Sequence, residues 1–376
     1  MINPDFKNMS KKKISLRTGF TTGTAAAAAT KGALIYLLTK EVPKSVTIPF
    51  LSEGTVEIAI KQAELKNSDT GICTVIKDAG DDPDITHKAE IGARVILMPQ
   101  QDHQEIVITG GKGVGTVTKP GLEILPGNPA INPGPKKMIC QAIHHCLNAY
   151  ARKGSVHVEI FIPKGEQLAL KTLNARLGIL GGLSILGTTG IERPLSHDAY
   201  VATIASAISV ATASGLKHIF FTTGRRSERF VQQHWEQENQ TVMPDEMVIQ
   251  MGDHFAESIQ FAKSKEIQRI SLAIFFGKAI KMAMGVGCTH AAKVRLSISA
   301  LAQWAETITH DSSFSKKIAH SNTARESFFY IREQYPELID FVGQKVIQSG
   351  QKLAGSSVQL GCIIFDYEGN VVFQKG

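Results

Sequence analysis

From Ala199 onward the chain alternates two kinds of segment. "KHIFFTTG", "EMVIQMG" and "RISLAIFFG" are short β-branched and aromatic runs, each closing on a glycine turn and each separated from the next by a helix-like stretch. This alternation constrains the fold more than any other feature. Strands joined through helices pair in parallel and are covered on both faces, so they read as unbroken apolar runs. The spacing predicts helices over 199–215, after "TTGRR", over 253–263 and from Lys278. In such sheets ligands sit beyond the carboxyl ends of the strands, which directs attention to "TTGRR", "MGDH" and "FGKAIK".

The first half has another rhythm. "SVTIPF", "TVEIAIKQAEL", "GICTVIKDAG", "ARVILMP", "EIVITGG" and "VHVEIFIP" read as strands with little helix between them. A helix over 24–38 follows the hydroxyl caps of Thr21–Thr24, and "PKKMICQAIHHCLNAYARK" starts a second helix with proline in its first turn. The stretch from Pro120 to Pro135 is too rich in Pro, Gly and Asn for either element and reads as a shaped loop. Two rhythms in 376 residues predict two domains. The first is an N-terminal α+β domain over 1–195 with Gly/Asp-rich loops. The second is a C-terminal Rossmann-like parallel-sheet α/β domain over 196–376.

Composition removes several function classes. Lys plus Arg number 41 against 34 Asp plus Glu, a net charge of +7 that suits an anionic partner. Aromatics are only 7% and do not interleave with basic runs, which argues against a nucleic-acid platform. "KKK" at Lys11–Lys13 reads as a solvated arm. The run 199–216 is too rich in Ala, Ser and Thr to face lipid, so no membrane partner is expected. Cys73, Cys140, Cys146, Cys288 and Cys362 form no C-x-x-C pair, and no apolar leader follows the basic N-terminus. Reduced thiols in a cytoplasmic protein are expected.

Three stretches carry chemistry. "RTGFTTGTAAAAA" places two Thr-Gly pairs before a helix, where backbone N–H groups and hydroxyls can receive an anion or simply cap the helix. "IKDAGDDPDITH" packs Asp78, Asp81, Asp82 and Asp84 into seven positions ahead of His87. Like charges that close need a counter-charge: a cation, a metal or helix N–H groups. "LGILGGLSILGTTG" at 177–190 mixes glycine with aliphatic bulk, as a backbone does when it must approach something closely. "GGKGVG" matches neither the dinucleotide fingerprint nor the P-loop, because it leads into "TVT" and not into a helix.

Taken in order, "RTGFTTGTAAAAA", "KDAGDDPDITH", "GGKGVGTVTKPGLEILPGNPAINPGPKKMI", "NARLGILGGLSILGTTGIERPLS", "FTTGRRSE" and "GKAIKMAMGVGCTH" form a set. The set resembles the cobalt-precorrin-5B C1-methyltransferase family of anaerobic cobalamin biosynthesis, from Arg17 to His290. Ala25 stands where many relatives carry cysteine, and the segment before Thr289 also departs from the commoner form, so no role is assigned to a cysteine.

The resemblance implies S-adenosylmethionine-dependent methylation of cobalt-precorrin-5B at C1 to give cobalt-precorrin-6A. The substrate is a cobalt-bearing tetrapyrrole with carboxylate arms. Its electron-rich ring is the nucleophile, so the protein mainly aligns the reactants and excludes water. A ring proton would fall to Asp81, Asp84 or His87. The Gly/Thr turns are the expected cofactor contacts: Thr22, Gly23, Gly181, Gly182, Thr188, Thr189, Gly190, Thr223 and Gly224, with Thr222 beside them. Lys119, Arg225, Arg226, Lys278 and His290 are the expected substrate contacts. The cobalt arrives within the substrate, so no protein metal site is implied. A tetrapyrrole carrier without chemistry, or another Rossmann-like transferase acting on an anionic substrate, would share much of this sequence. The oligomeric state stays open, a homodimer included.

Overall fold

The computed structural model describes residues 16–99, 105–194, 196–289 and 294–376. The Lys11–Lys13 arm and His290 lie outside them. The chain divides into two compact units, Met1–Thr118 with Pro126–Ser196, and Lys119–Leu125 with His197–Gly376. A short piece of the Pro/Gly-rich loop thus belongs to the second unit. There Gly121, at φ +103°, lies so close to the Ser209 carbonyl that a Cβ would sit 2.5 Å from its oxygen.

The first unit runs β1 (Gly19–Phe20), α1 (Thr22–Thr39), β2 (Ser45–Pro49), β3 (Thr55–Leu65), β4 (Thr70–Ile76), β5 (Glu90–Met98), β6 (Ile106–Gly110), β7 (Thr116–Val117), α2 (Pro133–Ala149), β8 (Ser155–Phe161), α3 (Gly165–Ala169), β9 (Ile179–Leu180) and β10 (Ile191–Glu192). Its main sheet has the order β2-β3-β4-β5-β8-β6, antiparallel except where β6 joins β8. Helix α1 packs on this sheet and on α2. Ala25–Ala29 and Ala33 are all fully buried, and Gly32 lies where a Cβ would come within 2.7 Å of Cys73 Sγ. A helix apolar on every side is an internal helix. The alanines let it lie close to both neighbours.

The second unit runs α4 (His197–Ala213), β11 (His218–Thr222), α5 (Arg225–Asn239), β12 (Val248–Gln250), α6 (Phe255–Ser264), β13 (Arg269–Phe275), α7 (Phe276–Ala283), α8 (Val294–Thr309), α9 (Ser312–Ala319), α10 (Ala324–Gln334), α11 (Glu337–Ala354), β14 (Gln359–Phe365) and β15 (Val371–Lys375). Sheet order is β12-β11-β13-β14-β15. The first four strands are parallel, with Phe221 opposite Ile249 and Leu272, and Leu272 opposite Cys362. β15 is an antiparallel edge, a departure from the purely parallel sheet expected. Its sequence, "VVFQK", follows a five-residue turn, "DYEGN", and not a helix, so only a hairpin can connect it. From β11 the chain steps outward to β12, then returns through α6 to β13 on the other side of β11. The strand order therefore reverses at the carboxyl ends of β11 and β13.

Candidate functional site

The reversal in the second unit is the place where open parallel sheets hold ligands. β11 delivers Thr222, Thr223 and Gly224 there, and β13 delivers Phe276, Gly277 and Lys278. Thr223 N–H donates to Ser227 Oγ at 3.1 Å, and that hydroxyl donates to the Gly224 carbonyl at 3.0 Å. These bonds shape the turn from inside the first coil of α5. Thr222 is fully buried, and its hydroxyl has no hydrogen-bond partner among the described residues. A buried hydroxyl left unpaired costs about 1–3 kcal/mol, which makes it a marker of a missing partner.

The basic groups around this edge are mostly engaged. Arg226 donates to the Tyr367 carbonyl and lies over the rings of Phe230 and Phe275. Lys278 Nζ pairs with Asp253 and donates to the Thr289 carbonyl at 3.2 Å. Thr289 Oγ1 donates to the same Asp253 carboxylate at 2.9 Å, and Lys281 Nζ reaches the Thr289 carbonyl at 3.1 Å. Lys119 pairs with Glu246, which precedes the amino end of β12 and so is not at this edge. Arg225, exposed at the start of α5, makes no such contact among the described residues.

In the first unit three of the four clustered carboxylates, Asp78, Asp81 and Asp84, find partners on basic residues of the chain. Arg17 grips Asp78 with two guanidinium nitrogens, at 2.5 and 2.9 Å, and its backbone N–H donates to Asp81 at 2.6 Å. The Arg17 bond holds the Asp78 carboxyl down to about 2. Gly19 and Gly80 permit the contact, because a Cβ on either would meet the opposite backbone at 2.2 Å. Lys77, only 1% exposed, sends its ammonium between Asp84 and Glu192. Two acids thus share one buried base. Burial pushes Glu192 up and the Asp84 charge adds to it, against the pull of Lys77. Asp84 goes the other way. Burial opposes its ionisation, but Lys77 and the Thr86 hydroxyl and N–H outweigh it and the carboxyl stays below its usual range. Carboxyls whose environments push them apart are the usual basis of an acid and base pair.

His87 accepts the Ala79 N–H on Nδ1 at 3.1 Å, which leaves the proton of the neutral ring on Nε2. The ring also lines a cavity of about 280 Å³ together with Lys61, Lys88, Lys164 and Glu90. Lys61 is paired with Glu90.

The Gly/Thr segments of this unit are interlocked. The Thr22 hydroxyl donates toward the Ser184 and Leu186 carbonyls and accepts the Leu186 N–H at 2.9 Å. Gly23 N–H donates to the Leu186 carbonyl, while Thr21 N–H and Thr24 Oγ1 donate to the Gly190 carbonyl. The first turn of α1 is therefore capped by residues 184–190. Gly182 lies against the Gly113 carbonyl, where a Cβ would sit 2.3 Å away, but Gly181 is open to solvent. Thr188 and Thr189 are exposed.

With this geometry in place, comparison with known proteins decides the family. The CbiD family pattern matches residues 9–194, and the pattern of the CbiD C-terminal domain matches residues 288–376. The chain belongs to the CbiD family. A relative from Pelobacter propionicus named cobalt-precorrin-5B C(1)-methyltransferase is 39% identical over 96% of both chains. One of the same name from Desulfotalea psychrophila is 39% identical over 93% of this chain and 95% of its own. A solved structure described as cobalamin biosynthesis protein (cbiD) from Archaeoglobus fulgidus is 27% identical, over 70% of this chain and 78% of that one, with a TM-score of 0.39.

Within this CbiD chain the expected site residues separate into groups. Asp81, Asp84 and His87 come together on one turn, held by Arg17 and Lys77. Thr22, Gly23, Gly182 and Gly190 bind their own chain, and Gly181, Thr188 and Thr189 stay open. Thr223 and Gly224 form a strand-end turn beside Arg225 and Arg226. Lys119 and Lys278 are committed to Glu246 and Asp253. Sequence reasoning passed over Lys77, Glu192 and Arg17. Arg17 and Lys77 flank the motifs as single basic residues, and Glu192 follows the glycine-rich stretch by two positions, where nothing local distinguishes it from a solvated acid. All five cysteines are free thiols. Burial pushes Cys73 to about 12 and Cys146 to about 11. Among the described residues no helix is long and apolar enough to cross a membrane.

Proposed function

We propose that this protein transfers a methyl group from S-adenosylmethionine to C1 of cobalt-precorrin-5B, as the names of its relatives state for them. The identity of 39% over 96% of both chains carries this reading. S-adenosylmethionine supplies the methyl as a sulfonium, with a neutral thioether leaving. The Rossmann-like reading of the second unit puts that cofactor at the reversal between β11 and β13. Thr222 is the observation in favour, since its buried hydroxyl is a hydrogen-bonding group with nothing to bind. Thr223 and Gly224 would carry the same surface outward, and Arg225 is free to meet a carboxylate.

The 280 Å³ cavity lies at the low end of ligand pockets, which run from about 300 Å³. That is room for a carboxylate arm and not for a macrocycle. Lys88 and Lys164 would draw such an arm in, next to His87. Glu192, the one carboxyl of this group that burial pushes above its usual range, is the best placed to hold a proton, with Lys77 and Asp84 fixing its position. Asp81, tied to the Arg17 backbone, would orient the turn. A cytoplasmic location belongs to the same proposal.

Anaerobic turnover with methyl-labelled S-adenosylmethionine and the cobalt tetrapyrrole tests it, with label expected on the ring. Glu192→Gln should lower turnover while S-adenosylmethionine still binds. A folded protein that binds the tetrapyrrole but neither binds S-adenosylmethionine by calorimetry nor transfers label would be a carrier.

A further inference from the structure

In the second unit, next in the chain to Asp253 and its pair with Lys278, α4 and α6 bring together His197, His254 and Glu257. One potential ligand atom from each lies within 4.8 Å of the others. The local sequence explains the arrangement. His254 ends the turn after β12 and caps α6, and Glu257 follows three positions later, on the same face of the helix. His197 opens α4, which packs on α6.

Two features distinguish the cluster from an ordinary surface ion pair. His254 Nδ1 and Glu257 Oε2 are both buried, and neither has a hydrogen-bond partner among the described residues. Buried polar atoms are paired in the great majority of cases, so two orphans beside each other in one cluster mark an absent partner. The spacing also fits. His197 Nε2 lies 3.4 Å from Glu257 Oε1. Two ligands about 2.1 Å from a tetrahedral ion stand about 3.4 Å apart.

The surroundings orient the rings. His197 Nδ1 lies 3.5 Å from the exposed Asp198 carboxylate, and Nε2 is the ring nitrogen that lies toward Glu257. A carboxylate behind a ligating imidazole is a common second layer of metal sites. The His254 ring sits edge-on to His197 at 4.6 Å and against Tyr200 at 5.0 Å. Tyr200 closes over Gly252, at φ +57°, where a Cβ would come within 2.7 Å of the phenol oxygen.

We propose that His197, His254 and Glu257 form a site for a divalent transition-metal ion, held by the protein itself and separate from the cobalt of the substrate. Two imidazoles and one carboxylate suit Zn²⁺, Co²⁺, Ni²⁺ or Fe²⁺, and disfavour Mg²⁺ and Ca²⁺, which take oxygen ligands. Three protein ligands leave at least one position open, as in sites that bind a further anionic ligand. The site contrasts with the expectation from sequence that no protein metal site is present. The three residues lie 57 and 3 positions apart, a spacing that no linear motif shows.

The test is Zn²⁺ titration of the metal-stripped full chain by calorimetry, paralleled by Co²⁺ and visible absorption. Saturation with one ion per chain is expected, with the d–d bands of low-coordinate Co²⁺ and no thiolate charge-transfer band. His254→Ala and Glu257→Gln should each weaken binding by more than about tenfold, the lower bound for loss of even a second-layer partner. His320→Ala, at an exposed histidine just past the end of α9, should leave binding unchanged. Glu257→Gln keeps size and shape, so it remains decisive if His254→Ala fails to fold. Absence of saturable binding, a thiolate band, or equal affinity in Glu257→Gln and the parent would overturn the assignment.

Discussion

Thr-Thr-Gly occurs at 21–23, at 188–190 and at 222–224, and the copies differ in what they bind. The first two are joined to each other. Thr21 N–H and Thr24 Oγ1 both end on the Gly190 carbonyl, and Thr22 and Gly23 close on Leu186. The third ends a buried parallel strand, and its first hydroxyl, on Thr222, is buried and unpaired. One tripeptide thus serves as a lock in one unit and as an open strand end in the other. The same contrast holds for charge. Asp78 and Asp84 of the first unit are answered by Arg17 and Lys77, but His254 and Glu257 of the second unit keep buried polar atoms with no hydrogen-bond partner among the described residues. A motif that satisfies itself argues for architecture, and one that remains unsatisfied argues for a ligand.

Lys77 is where the lock should break with the largest effect. Lys77→Ala leaves Asp84 and Glu192 facing each other without their cation. Breaking a buried pair from one side costs roughly 3–5 kcal/mol. Equilibrium unfolding in urea measures it, and a loss under 1 kcal/mol would show that the acids are solvated and the lock is loose.

Acid should reach the two units in order. His218 is held down to about 4, by burial first and by Arg269 second. Its folded form resists protonation, so the unfolded state binds the extra proton between pH ~6.5 and ~4. Stability contributed by the neutral ring is full above that window and falls by roughly 2–3 kcal/mol across it. Asp78 is depressed to about 2, so its contribution is present above the unfolded value near ~3.9 and is lost only as pH falls toward 2. Hydrogen exchange from pH 7 to pH 4 should therefore loosen β11 and β13 before the 78–84 turn. His218→Phe should flatten the slope in the strands. Simultaneous loosening in both places would erase the distinction.

The finest test compares two isosteric changes. Thr22→Val removes a hydroxyl that both donates and accepts in a buried setting, and should cost about 1–3 kcal/mol in stability. Thr222→Val removes a buried hydroxyl that binds nothing, so it should cost the ligand-free protein no stability and should raise it, by up to about 1–3 kcal/mol. It should instead weaken S-adenosylmethionine by roughly 5–10-fold, the value of one hydrogen bond of about 1–1.4 kcal/mol. Thermal melts and calorimetry on both variants separate the outcomes. Equal melting shifts, or unchanged cofactor affinity in Thr222→Val, would remove the contrast between lock and open end.

Much of this was legible in the residues alone. The polyalanine helix, the six strands of the first sheet and the strands β11 to β13 follow from periodicity, glycine and proline, because local propensity and burial agree there. The identity of the ordered motifs was legible too. The last third was not read: β14, the last strand of the parallel run, and β15, the antiparallel edge beside it, follow four helices that carry no distinctive motif. The sequence also showed that four clustered aspartates need a counter-charge, since repulsion depends only on their spacing. Which groups answer them was a tertiary matter. Arg17 is 61 positions from Asp78, and Glu192 shares Lys77 from across more than a hundred residues. Electrostatic and hydrogen-bond energies depend on distance in space, and only the packed backbone, brought close where Gly19 meets Gly80, determines which charges become neighbours.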